Sequence, residues 1–284
     1  TADASPAAGD YVIFAGRFEG QDVQLLEKGT SAAKKFTITF YVKSNKTGTY
    51  IMEIDDNDNA RNINQAYTIS SANTWEKKVL SFAGDTTGAF GNDNGDSLRL
   101  NWWLGSGTNF SSGSLQTSWA GTDNTKRAVG NVNLADSTDN DWSITGIQLE
   151  VGEYDSTTIP SFQHESFCDN LARCQRYYQK SYSHEDPPGT VTSGNRGNDF
   201  LWLMGGNTSP HIMLKFVPEL RITATVTTYS IVNANTTGKL TASTTDYSTG
   251  TNAVVNSSKN HIVYASSVTA ADDIYVSWTA DAEL

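Results

Sequence analysis

The 284-residue chain is poor in cysteine and proline and has no long apolar run. Two cysteines, Cys168 and Cys174, cannot build a disulfide framework, and C-x5-C alone is no metal motif. On one helix they point to different sides and cannot bridge each other. They read as two free, semi-buried thiols, which suits assembly in a reducing cytoplasm. No apolar stretch approaches the roughly 20 residues of a bilayer crossing, and no signal-peptide pattern opens the chain. Thr1 is not an initiator Met, so residue 1 reads as a processed, truncated or first-visible position. Basic residues are also scarce, 20 against 31 acidic ones, for a formal charge of −11. Twelve basic and 21 acidic residues fall in the first 165 positions. This balance argues against a nucleic-acid binder, which needs a basic stripe for phosphates, and against membrane insertion or a basic membrane-surface helix.

In place of charge the chain carries Thr, Ser, Asn and 23 Gly, with seven Trp, 12 Tyr and 11 Phe. β-Branched and aromatic residues favour pleated surfaces, and Gly, Asn and Asp favour tight turns. The composition predicts an all-β protein. Phe36–Lys43 alternates strictly, with Phe36, Ile38, Phe40 and Val42 on one side and Thr37, Thr39, Tyr41 and Lys43 on the other. Asn45–Gly48 offers turn chemistry, so Thr49–Ile54 is expected as a hairpin partner. Further strands are expected over Ala66–Ile69, Trp75–Phe82, Leu98–Leu104 and Ser143–Gly152, the last with a bulge at Gly146. Such short strands separated by loops suit a jelly-roll β-sandwich.

One helix is expected. Ser166 with Asp169 makes a capping-box-like start, and Phe167, Leu171, Cys174 and Tyr178 form one apolar stripe. Pro187-Pro188-Gly189 cannot continue it. Six more strand candidates follow: Phe200–Met204, Ile212–Val217, Arg221–Ile231, Lys239–Ser243, His261–Ser266 and Ile274–Thr279. The organisation predicted is an N-terminal jelly roll over 1–163, a linker helix over 164–182 and a smaller C-terminal β-sandwich over 183–284.

The strings FTITFYVKSNKTGTY, YTISSANTWEKKVLSFAGDTTGAFGNDNGDSLRLNWWLGSG, ITGIQLEVGE and FQHESFCDNLARCQRYYQKS resemble a family of bacteriophage tail-fibre-like virion proteins. Their jelly roll is similar to carbohydrate-binding modules. The resemblance is dense from Gly16 to Lys180 and thinner beyond, where IMLKFVPEL and Asp281-Ala282-Glu283-Leu284 match the family's ending. It implies a virion appendage, assembled in the host cytoplasm, that contacts other virion proteins and host cell-surface glycans, with strands preceding Thr1 in the complete polypeptide. Because phage fibres are typically trimers, it also implies a homotrimer. The aromatic pair Trp102-Trp103 and Cys168 depart from the family pattern.

By alternation Leu98, Leu100, Trp102 and Leu104 face inward, and Arg99, Asn101 and Trp103 outward. An aromatic face packs on the C–H patch of a pyranose while amide and guanidinium groups bond its hydroxyls. Trp103, Arg99 and Asn101, with Tyr41 and Lys43 on their own strand, are therefore the candidate glycan contacts. The alternative is that Trp103 is covered by a loop, a second domain or a sister subunit. Phe167, Leu171, Cys174 and Tyr178 are the candidate oligomer or domain contacts. The runs Asp55–Asn59, Asn92–Asp96 and Asp139–Asp141 could offer oxygens to Ca²⁺, though such runs are usually turns. His164, His184, His211 and His261 form no spaced metal motif, and no G-x-S-x-G, H-E-x-x-H or P-loop is present. The chain is expected not to be an enzyme. The competing readings are an architectural capsid decoration or tail adaptor, and a polysaccharide depolymerase with two carboxylates drawn from distant strands.

Overall fold

Apolar and polar residues alternate along the strands of the first unit, and the alternation decides which side chains meet. The computed structural model describes residues 1–191, 199–202, 211–242, 245–251, 257–265, 268 and 273–283. The chain divides into two units, residues 1–163 and 164–283. The molecule is all-β, with sheets arranged as sandwiches. Among the described residues no helix is long and apolar enough to cross a membrane.

The first unit runs β1 (Tyr11–Glu19), β2 (Phe36–Ser44), β3 (Gly48–Asp56), β4 (Arg61–Ile69), β5 (Glu76–Phe82), β6 (Asp96–Ser106), a short helix α1 (Thr108–Ser111), β7 (Ala120–Gly121) and β8 (Trp142–Val151). A five-stranded sheet has the order β1-β6-β3-β4-β7 and a three-stranded sheet the order β5-β2-β8. Their inner faces share one core. Phe36, Ile38, Phe40 and Val42 from β2 meet Tyr50, Met52 and Ile54 from β3 and Leu98, Leu100, Trp102 and Leu104 from β6. The inward phase predicted for β6 is the one observed.

The expected β2–β3 hairpin does not form. β2 pairs on both sides, with β5 and β8, while β3 lies between β4 and β6 in the other sheet. The cause lies at the turn. Ser44 Oγ donates to the Asp141 carbonyl at 2.6 Å and Asn45 Nδ2 to the Asp139 carbonyl at 2.8 Å, so the 45–47 segment carries the chain across the sandwich. Gly146 adopts φ +60°, and the β2–β8 register shifts between Thr39 and Tyr41. This is the bulge its glycine predicts.

The second unit opens with helix α2 (Phe167–Gln175), capped by Ser166 Oγ accepting from the Asp169 N–H at 3.1 Å. The helix is shorter than its apolar stripe suggests. Tyr178 lies instead in β9 (Tyr178–Lys180), opposite Asp281. Phe167 is 67% exposed and Cys168 and Cys174 are exposed, while Leu171 and Tyr178 are half-buried. The thiols are therefore not semi-buried, and the stripe is no packed seam within the unit. Seven further strands follow: β10 (Asp199–Trp202), β11 (His211–Lys215), β12 (Thr225–Tyr229), β13 (Lys239–Ala242), β14 (Thr245–Thr251), β15 (Asn260–Ala265) and β16 (Asp273–Asp281). Long β16 pairs β10 and β13 along its first half and β12 and β9 along its second. Leu214, Leu240, Val263, Ile274, Val276 and Trp278 fill the core. The expected strand ends at Met204, Ser243 and Ser266 lie outside the described residues, as does Leu284.

Candidate functional site

Antiparallel register arranges the outer face of the five-stranded sheet in rows. Ile13, Trp103, Ile51 and Ala66 make one row. Ala15, Asn101, Glu53 and Asn64 make the next, and Arg17, Arg99, Asp55 and Asn62 the third. Trp103 has the outward phase predicted for it, yet it is only 1% exposed. The segment after β6 folds back over it. Phe110 packs at 5.4 Å between ring centroids, and the Arg127 guanidinium lies 5.3 Å above the indole. Ala128 completes a small second core with Ile51, and its N–H donates to the Phe110 carbonyl at 2.8 Å. Trp103 and Asn101 are therefore not an open sugar platform; a covering loop occupies that place.

Beneath the loop the Glu53 carboxylate, fully buried, takes five donors. Arg127 gives Nε at 2.7 Å to one oxygen and a terminal nitrogen at 2.8 Å to the other. Asn62 Nδ2 donates at 2.9 Å, Asn101 Nδ2 at 3.0 Å and Trp103 Nε1 at 3.1 Å. A buried charge persists when paired and fully hydrogen-bonded, so this network fixes the loop on the sheet.

Two residues further along β3, Asp55 differs. Its side chain is 10% exposed, and its closest cations are Arg99 at 3.7 Å and Arg127 at 3.8 Å. Arg99 instead turns to Asp96, at 2.8 Å through Nε and 2.7 Å through a terminal nitrogen. Burial, then the Glu53 charge, push the Asp55 carboxyl up to about 6, against the pull of Arg127 and Arg99.

The other predicted contacts lie on the opposite sheet. The outer face of β2 carries Thr37, Thr39, Tyr41 and Lys43, and its two ends have different fates. At one end the chain after β8 closes over the strand. Thr37 Oγ1 donates to the Gly152 carbonyl at 2.9 Å and accepts from the Tyr154 N–H at 3.0 Å. At the other end Tyr41 is 42% and Trp75 46% exposed, and the Lys43 ammonium lies 5.5 Å from the Trp75 ring centroid. Tyr41 pairs with Lys77 on one side and Thr145 on the other, both exposed. Gly146 sits against the Tyr41 ring: a Cβ there would come within 3.3 Å of it. The bulge thus seats the tyrosine. Trp75 was not among the predicted contacts. Its signal was present, because alternation back from Lys77 gives it the outward phase.

The acidic runs are bound into the fold. Asp55 and Asp56 end β3 rather than lying in a loop. Asp56 meets the buried Lys28 ammonium at 2.5 Å, Asp93 accepts from the Gly95 N–H at 2.8 Å, and Asp141 accepts from the Asn45 N–H at 2.9 Å. Among the described residues no group of three or more His, Cys, Asp or Glu could hold a metal ion. His184 packs edge-on against Phe167, and His261 is buried in the second unit, where burial holds its imidazole below the ordinary range.

No family model and no curated protein matches the chain. Two solved structures of discoidin II from Dictyostelium discoideum, the wild-type and the native recombinant protein, align at 8% identity. They cover 98% of this chain and 78% and 79% of theirs, with TM-scores of 0.19 and 0.18.

Proposed function

We propose that the protein is a virion surface protein, a phage tail fibre, that attaches to host-surface glycans without cleaving them. The observation that carries the binding is the Tyr41–Trp75 face. Two water-exposed rings stand on one face of a sheet whose other face is core, beside Lys43, Lys77 and Thr145. Rigid aromatic surface with a few polar neighbours is what stacking on a sugar ring requires. The virion location and the trimer rest on the sequence resemblance. Several copies of a weak site would give avidity without strong single-site affinity.

Trp75→Ala and Tyr41→Ala, each with an unchanged melting curve, are expected to weaken binding to host surface polysaccharide by about tenfold or more. Unchanged binding in both overturns the face. Release of reducing ends from the polysaccharide would instead reveal a depolymerase. Labelled-antibody microscopy of virions tests the location, and mass photometry tests the trimer.

A second, purely architectural reading draws on β1. It is an edge strand with Tyr11, Val12 and Phe14 exposed, and exposed apolar edges often mark protein contacts. Full virion assembly with a charged Phe14 substitution would count against it.

A further inference from the structure

Glu53 and Asp55 occupy the same face of β3, two positions apart, and are treated oppositely by the fold. Glu53 has its acceptor capacity filled by five donors. No hydrogen bond reaches the Asp55 carboxylate among the described residues, although its side chain is nine-tenths buried. The two guanidiniums beside it stand 3.7 and 3.8 Å away, beyond the roughly 2.7–2.9 Å of a charge-assisted bond. Both are committed elsewhere, Arg99 to Asp96 and Arg127 to Glu53. Asp55 is therefore a preformed acceptor near two guanidiniums, with no donor bonded to it among the described residues. Across β6 in the same sheet, Ala15 and Arg17 of β1 are exposed.

Electrostatics selects what fits. Arg17, Arg99 and Arg127 balance Glu53, Asp55 and Asp96, so the locality is neutral overall. A carboxylate or phosphate would meet Asp55, and an ammonium would meet two guanidiniums. A neutral group that both donates and accepts meets neither penalty. Adjacent hydroxyls supply it, one donating to Asp55 and its neighbour accepting from Arg99 or Arg127.

We propose that Asp55, flanked by Arg99 and Arg127, forms a second binding site on the sheet opposite Tyr41 and Trp75, taking a vicinal diol of a neutral sugar. The raised carboxyl of Asp55 accords with an acceptor the fold leaves unsatisfied. Such a group costs stability and is retained for what it binds.

The test uses the full chain with ¹⁵N-labelled arginine, titrated with D-glucose, D-galactose and D-mannose, and with D-galacturonate as the charged probe. The expected result is a saturable shift of the Arg99 or Arg127 Nε–H signal with at least one neutral hexose and a weaker response to galacturonate. Asp55→Asn should weaken that binding about tenfold, the scale of one lost hydrogen bond to a charged group, while melting no lower than the parent. Trp75→Ala should leave the shift intact, so failure of the Tyr41–Trp75 face and failure of this site are separable. Three results would each overturn the proposal: no shift with any neutral hexose, binding unchanged in Asp55→Asn, or a lower melting temperature in that variant, which would assign Asp55 to structure.

Discussion

The two outer faces of the first unit are equally regular in sequence, yet their aromatic residues differ in exposure, Trp103 being 1% and Tyr41 42% exposed. On β6, Asn101 and Trp103 point away from the core and are capped by the segment that follows the strand, whereas Arg99 stays partly exposed beside Asp96. On β2, Tyr41 and Lys43 point away from the core and remain in water at their open end. Alternation determines which side of a sheet a residue occupies. Whether that side meets solvent depends on what the connecting segments do. The loop over β6 is held by a buried charge network, so coverage there is part of the fold, whereas on β2 only the Thr37 end is covered and the Tyr41 end is open.

The sharpest test of that difference removes the hub. Glu53→Ala strands Arg127 and the Asn62, Asn101 and Trp103 donors beneath the loop, and is expected to cost about 3–5 kcal/mol in urea unfolding. A cost below 1 kcal/mol would mean that the loop is held by apolar packing alone.

Asp55→Asn has the opposite sign. Its folded carboxyl is raised from the ordinary aspartate range to about 6, so the folded state holds the proton more tightly than the unfolded chain. The stability linked to that proton is fully present below about pH 4 and lost as pH rises through 6. The asparagine variant should therefore gain on the order of 2 kcal/mol over the parent at pH 7.5, with the gap closing by pH 4. Paired melts at the two pH values check this.

The smallest effect belongs to the open face. Gly146→Ala forces a Cβ onto φ +60° and to 3.3 Å from the Tyr41 ring. It should cost about 1–2 kcal/mol and displace the ring, weakening glycan binding as well. A variant that loses stability while binding normally would uncouple the bulge from the site.

Much of the fold was legible where apolar residues alternate. Phe36–Ser44 and Asp96–Ser106 are strands with the expected faces, Trp142–Val151 is an expected strand, and Gly146 is the expected bulge. Partnership was not legible. The turn at Asn45 has hairpin composition, but its bonds go to Asp139 and Asp141 from the far end of the unit. β14 was missed because TDYSTGT has no apolar alternation and is held as a strand by β13 and β15. The helix was overextended because Tyr178 matched its period, while Gln179 and its neighbours form a ladder with β16. Of the candidate site, the outward phase of Trp103 was readable but its cover was not, since the 107–132 stretch carries no period to announce where it lands.

Trp75 and the Lys43 ammonium above it have an optical consequence. Trp102 and Trp103 are sealed from water, while Trp75 stands in it, so a dissolved quencher reaches Trp75 first among the described indoles. Iodide, an anion, is drawn toward the lysine that overlies that ring. A saccharide seated there would shield the indole, and the resulting loss of iodide quenching would report occupancy without any added label.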